Sequence, residues 1–249
     1  MSDATSRDSL TRLGGDFEST LWTVVLKAGS AETTQSRAAL EHLCRAYWHP
    51  LYCYLRRRGY STHDAQDLVQ RFFADLIEHN PFQRLSPDKG RFRAFLLAAL
   101  NHFLAGDRDY RHAAKRGGGQ PLLSLDDPQA EERYLQVPAK SASPEREFDR
   151  RWALAVLERA LRALAAEQAA AGKQRLYEAL RPFLTDDTGH RDYSRAGGEL
   201  RMAPNVVAVA VHRLRRRYQE LVRVEVSETV GAATDVESEM RELLEAMRG

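Results

Sequence analysis

The segment 65–77 leaves the chain little choice of conformation. Ala65, Leu68, Val69, Phe72, Phe73, Leu76 and Ile77 recur at three- and four-residue steps. On an α-helix they form one stripe, whereas a strand would scatter them over both faces. Ser61 supplies an N-cap before the stripe, and Asp64 three residues on completes the capping pattern. Phe92, Phe95, Leu96, Ala99, Leu100, Phe103 and Leu104 repeat the period, as do Leu40, Leu43, Cys44, Tyr47 and Trp48. Pro50 is expected to stop or kink that last helix, because its ring excludes an interior hydrogen bond. A further helix then runs from Pro50 to about Arg58 and ends at Gly59.

The second half of the chain has the same period. Phe148, Trp152 and Val156 open a long Ala- and Leu-rich helix reaching about Ala171, and Leu176, Tyr177, Leu180 and Leu184 mark another. Residues 206–211 are β-branched enough to suggest a strand, but Val207, Ala210, Val211, Leu214, Tyr218, Leu221 and Val222 continue one helical stripe. Val236, Met240, Leu243, Leu244 and Met247 give a last amphipathic helix in an acidic segment. The expected fold class is all-α, with two helical domains joined by a flexible linker. The boundaries read as a tail at 1–15, a first domain at 16–116, a linker at 117–144, a second domain at 145–226 and a C-terminal extension at 227–249. The linker rests on Gly117-Gly118-Gly119 with Pro121, Pro128, Pro138 and Pro144.

Charge limits the functional classes. Thirty-seven Lys and Arg against 35 Asp and Glu leave a net charge of +2, so affinity for nucleic acid has to sit in local patches. No apolar run reaches the roughly 18 residues of a membrane span, and residues 1–15 carry no hydrophobic signal core. Cys44 and Cys53 cannot build a disulfide framework or a zinc site by themselves. The expectation is a cytoplasmic protein with free thiols.

Three patches stand out. Arg91, Arg93, Arg108, Arg111, Lys115 and Arg116 interleave with Phe92, Tyr110 and His112. Such a mixture suits single-stranded or melted DNA, with cations on phosphates and rings on unstacked bases; a solvated basic face over core phenylalanines is the plainer alternative. A short helix at about 192–200, the turn Arg201-Met202-Ala203 and a long basic helix opened by Pro204 outline a helix-turn-helix, or an ordinary αα-hairpin. Asp64, Asp67, Gln70 and Asp75 lie opposite the 65–77 stripe, as on any solvated helix face.

Signals for catalysis are weak. His190-Arg191-Asp192 imitates a kinase catalytic-loop triplet, but Gly197 stands where its asparagine belongs. The triple glycine is followed by Gln120 and Pro121, which is no phosphate loop. His42, Cys44 and His49 read as a buried thiol with surface histidines. No metal motif and no cofactor is expected.

Several runs carry a family resemblance. Ala46-Tyr-Trp-His-Pro-Leu-Tyr-Cys-Tyr-Leu55 and Asp64-Ala-Gln-Asp-Leu-Val-Gln-Arg-Phe-Phe73 resemble the core-polymerase-binding part of extracytoplasmic-function sigma factors. Lys89-Gly-Arg-Phe-Arg-Ala-Phe-Leu96 and Lys115-Arg-Gly-Gly-Gly119 resemble a subgroup with an elaborated linker. Residues 193–222, including Val211-His-Arg-Leu-Arg-Arg-Arg-Tyr218, resemble the family's C-terminal helix-turn-helix.

The resemblance implies a transcription initiation factor without catalytic activity. Its first domain would hold the RNA polymerase clamp and the melted −10 element, its second the polymerase flap and the −35 duplex. It leaves room for an anti-sigma or other regulatory protein. Polymerase contacts would fall on Asp64, Asp67, Gln70 and Arg71. Contacts to −10 DNA would fall on Arg91, Phe92, Arg93, His102, Arg108, Tyr110, Arg111, Lys115 and Arg116. Contacts to −35 DNA would fall on Arg201, Pro204, Asn205, Val206, Ala208, His212, Arg213, Arg216 and Arg217.

The second domain departs from the family pattern. Arg201 stands where a glycine is common, Ala203 where a serine caps the helix, and Ala208 beside the groove-facing valine. These departures, with the helix-weakening pair Gly197-Gly198, predict a softer domain that reads −35 DNA weakly. The C-terminal helix is expected to cover part of that domain. The alternative function is a sigma-derived regulator that binds polymerase or a regulatory protein without selecting promoters.

Overall fold

The computed structural model describes residues 34–79, 92–113, 129–136, 143–185, 190–230 and 235–248, and every regular element among them is helical. The helices are α1 (Thr34–Arg57), α2 (Thr62–His79), α3 (Phe92–Ala113), α4 (Ala130–Gln136), α5 (Pro144–Ala170), α6 (Gln174–Leu180), α7 (Pro182–Thr185), α8 (His190–Leu200), α9 (Pro204–Ser227) and α10 (Asp235–Arg248). Among the described residues no helix is long and apolar enough to cross a membrane. The chain divides into a first unit, Met1–Trp152 with Ser227–Gly249, and a second unit, Ala153–Val226.

In the first unit α1 runs unbroken through Pro50, in contrast to the two helices expected there. The hydrogen bond lost at the proline is outweighed by burial: Leu51, Tyr52, Cys53, Tyr54 and Leu55 are all essentially inaccessible. The 65–77 stripe packs as its period requires, with Ala65, Leu68, Val69, Phe72, Phe73 and Leu76 buried. Tyr47 meets Phe92 edge to face at 5.1 Å. The Ser61 hydroxyl accepts the Asp64 amide at 3.1 Å and donates to the Asp64 carboxylate at 2.7 Å, capping α2 as its sequence predicts.

Part of the expected linker is structured. Helix α4 lies within 117–144 and docks on the first unit: Glu131 accepts from the Tyr52 hydroxyl and from Arg56 Nε and Nη2 at 3.1 and 2.9 Å. Arg151 caps the end of α4, donating to the Arg133 and Tyr134 carbonyls at 3.2 and 3.0 Å. The remainder of 117–144, apart from 129–136 and 143–144, lies outside the described residues. The C-terminal helix α10, read from the sequence as an extension, belongs to the first unit. Ahead of it, the Phe92 amide donates to the Thr229 carbonyl at 3.2 Å, and Thr229 and Val230 are buried.

The second unit packs α5 from Ala153 onward with α6 to α9. Its core includes Val156, Ala160, Leu164, Tyr177, Leu180, Phe183, Val207, Val211 and Leu214. The Tyr177 and Tyr218 hydroxyls donate to the Leu161 and Leu157 carbonyls at 3.3 and 3.2 Å, so buried Tyr177 and half-buried Tyr218 both have their polar ends satisfied. Residues 206–211 are helical, as the stripe predicts.

Three helices end in one motif. At Gly59, Gly172 and Arg201 the chain turns left-handed, with φ of +91°, +69° and +54°. In each case the next amide reaches back five residues, from Tyr60 to Leu55, Lys173 to Gln168 and Met202 to Gly197, at 3.2, 2.8 and 2.9 Å. Two of these turns use the residue that adopts the conformation without strain. The third uses an arginine.

Candidate functional site

On α2, Asp67, Gln70 and Arg71 share a half-exposed face opposite the buried stripe. Arg71 Nε holds the Asp67 carboxylate at 3.0 Å, and its guanidinium lies 5.9 Å from the Phe103 ring. Asp64 is held by the cap and Asp67 by Arg71, and Asp75, two turns beyond Asp67, is exposed on the same helix.

The start of α3 differs from the sequence expectation. Phe92 is fully buried and Arg93 is 7% exposed, so neither lies on an open DNA-binding surface. Arg93 Nε and Nη2 clasp Glu239 at 3.0 and 3.3 Å, while Nη1 and Nη2 also reach Asp149 and Glu242. The same guanidinium stands 4.5 Å over the Trp152 ring. Burial works against the Arg93 charge, but Glu239 and Asp149 outweigh it and hold its pKa above the ordinary value. Burial pushes the Asp149 carboxyl up, with Glu242 and Glu145 adding to the effect and Arg93 opposing it. The partners Glu239 and Glu242 sit three apart on one face of an acidic helix. That spacing is visible in the sequence, but its target 146 residues upstream is not.

His102 is exposed further along α3. Arg108, Tyr110 and Arg111 lie in the last turns of that helix, with their side chains outside the description, and Arg91, Lys115 and Arg116 lie outside the described residues.

In α1, His49 and Cys53 stand one turn apart, with 3.6 Å between Nε2 and Sγ. Burial, Arg133 and Arg151 lower the His49 pKa to about 4, so this histidine is not the surface residue expected. Burial pushes the Cys53 thiol up to about 12 and raises that of Cys44 as well. A neutral imidazole beside a protonated thiol is a packing contact; an activated nucleophile needs both shifts reversed.

In the second unit, α8 and α9 are joined by the three-residue turn 201–203. Gly197 is required by contact: a Cβ there would stand 2.6 Å from the Met202 carbonyl oxygen, whereas one at Gly198 would meet nothing. Ala203 offers no side-chain cap, and Asn205 supplies part of what is missing by accepting the Val206 amide on Oδ1 at 2.9 Å. Pro204, Asn205, Val206, Val209, His212, Arg213 and Arg216 are exposed. Asn205, Val209, His212 and Arg216 follow one another at helical steps and define the open face. Ala208 is half-buried at its flank.

Arg217 is turned away from that face. Its Nε and Nη2 clasp Glu167 at 2.9 and 2.7 Å, and Nη1 reaches Glu220 at 3.0 Å. Arg215 Nε donates to the Phe183 carbonyl at 2.9 Å. Of the basic run 213–217, Arg213 and Arg216 therefore remain on the open side. Arg201 is exposed and lines an open pocket of about 530 Å³ together with Lys173, Arg175 and Glu199.

No protein-family model, curated protein or solved structure matches this chain.

Proposed function

We propose that this chain is a sigma-type transcription initiation factor that binds core RNA polymerase and directs it to promoters. The observation that carries the reading is the open face of α9 beyond the 201–203 turn, which combines Asn205, two exposed valines, His212, Arg213 and Arg216. A helix of this kind enters the major groove with its N-terminal residues on base edges and its later cations on phosphates. Val206 and Val209 are suited to thymine methyl groups, and Arg213 and Arg216 to the backbone. The Asp67 and Gln70 face of α2 would receive a basic segment of the polymerase clamp, in keeping with the sequence resemblance.

Transcription with purified core polymerase on a promoter library tests the proposal, which requires specific initiation only when the chain is added. Asp67→Arg separates binding from folding. The Asp67 side chain is 47% exposed, and losing its ion pair with Arg71 costs at most about 1 kcal/mol. The variant should fold and lose co-purification with core; retention at wild-type yield refutes the polymerase assignment.

A second reading is favoured by the enclosure of Phe92 and Arg93 and by the capless start of α9. In it the chain is a sigma-derived regulator that binds polymerase without selecting promoters. Binding of core without initiation on any library member would establish that reading over the first.

A further inference from the structure

Two residues placed against local preference line one pocket of the second unit. Arg201 holds a left-handed φ of +54°, where Gly59 and Gly172 serve at the other two helix ends of this kind. Arg175 lies in the first turn of α6, which carries no acid and whose N-cap residue, Lys173, makes no side-chain cap. A cation there faces the positive end of the helix. Departures of this kind concentrate at functional sites. Lys173 is the third cation of the pocket; it stands just past the end of α5, where a positive charge suits the helix, so its placement needs no further cause.

The pocket, of about 530 Å³, has fixed walls. The Lys173 amide donates to the Gln168 carbonyl at 2.8 Å where α5 ends, and the Met202 amide to the Gly197 carbonyl at 2.9 Å where α8 ends. Lys173, Arg175 and Arg201 are all exposed, and so is Glu199, the one carboxylate among the described lining residues. None of these four side chains makes a hydrogen bond or ion pair with another described residue. The cations of the pocket therefore keep their charge for a ligand, unlike Arg217, which Glu167 and Glu220 hold.

The pocket adjoins the open face of α9. Arg201 precedes exposed Pro204 and Asn205 by three and four residues. Arg216 lies eleven residues beyond Asn205, about 16 Å along the helix. The major groove is about 12 Å wide, so a helix lying across it brings its two ends near opposite sugar–phosphate backbones. Arg213 and Arg216 stand toward one backbone, and the pocket stands toward the other.

We infer that Lys173, Arg175 and Arg201 form a phosphate clamp that grips the duplex backbone at the N-terminal end of α9, across the groove from Arg213 and Arg216. The inference rests on the proposed DNA-binding face of α9. Continuity with that face selects a phosphodiester over an acidic protein segment as the occupant.

Full-length variants and a labelled mixed-sequence duplex test the clamp. Lys173→Gln combined with Arg175→Gln should lower the slope of log affinity against log salt by about one unit, the loss of one phosphate contact. Glu199→Gln should tighten binding at fixed salt by about twofold to fivefold, the scale of one exposed charge interaction. Arg162→Gln combined with Arg181→Gln removes two exposed cations outside the pocket and should leave the slope unchanged. Amide exchange in α6 should stay at wild-type protection in the pocket variant, and Arg175→Lys, which keeps the charge, should keep the slope.

An unchanged slope in the pocket variant overturns the clamp; if Arg216→Ala still lowers the slope, the DNA face of α9 stands. An equal drop in the control pair also overturns it, by assigning the effect to net charge. So does a drop that comes with lost protection in α6 and is not rescued by Arg175→Lys. An unchanged slope with weaker binding to core polymerase gives the pocket to an acidic protein surface instead. Absence of duplex binding by the wild type at low salt overturns both the clamp and the DNA face.

Discussion

Arg201 occupies the left-handed position of the turn between α8 and α9, with φ of +54°, in a motif that Gly59 and Gly172 complete elsewhere in the chain. An L-residue there costs about 1–2 kcal/mol through the approach of Cβ to the backbone. Glycine relieves that cost but loses more freedom on folding, which returns about 0.5–1 kcal/mol. Arg201→Gly should therefore stabilise the second unit by about 0.5–1 kcal/mol, or about 2–8 °C in Tm for a domain of this size. Gly197 and Gly198 supply the counter-test. Gly198→Ala meets nothing and should gain about 0.5–1 kcal/mol of helix propensity. Gly197→Ala drives a Cβ to within 2.6 Å of the Met202 oxygen and should cost about 1–3 kcal/mol, as overpacking does. Thermal melts combined with amide exchange in α8 and α9 read this unit apart from the first. Equal stability of the two alanine variants, or a lower Tm for Arg201→Gly, would refute the turn geometry. Duplex binding by Arg201→Gly then shows whether the strained arginine is kept for DNA contact.

His49 gives a pH signature in the first unit. Its folded pKa of about 4 lies below the ordinary 6.5, so its contribution is fully present above pH 6.5 and is lost as pH falls toward 4. The shift corresponds to about 3 kcal/mol, and urea unfolding of His49→Gln across that window should lack this loss. Arg216 and Arg217, though adjacent, should separate cleanly. Arg216→Ala should lower the slope of log affinity against log salt for duplex DNA by about one unit, with a stability loss no greater than the about 0.3–0.5 kcal/mol of its exposed pair with Glu220. Arg217→Ala should lower stability through Glu167 and Glu220 and leave the slope unchanged; the opposite pattern in a salt titration would reverse their assigned orientations.

Periodicity carried most of the secondary structure, because each helix buries one face and the spacing of apolar residues records it. Long-range partners left no comparable trace. Pro50 signals a break locally, yet the helix continues because five buried residues follow it. Arg93 looks like the other cations around it in sequence, but its bidentate partner is 146 residues away. Arg213 and Arg217 lie one turn apart, and only the reach of Arg217 to Glu167 distinguishes them. The cost at Arg201 was legible as a missing glycine, whereas the need for Gly197 depends on where the turn folds back.

The return of the chain to the first unit after Val226 also sets an order in time. Arg93 cannot be enclosed until Glu239 has been made, 146 residues later. At about 5–20 residues per second of synthesis that interval is roughly 7–30 s. Within it the whole second unit is synthesised, while the guanidinium at the start of α3 lacks both of its α10 carboxylates. During translation, the nascent chain thus passes through a state in which Arg93 has no α10 carboxylate to pair with, and completion of α10 ends that state.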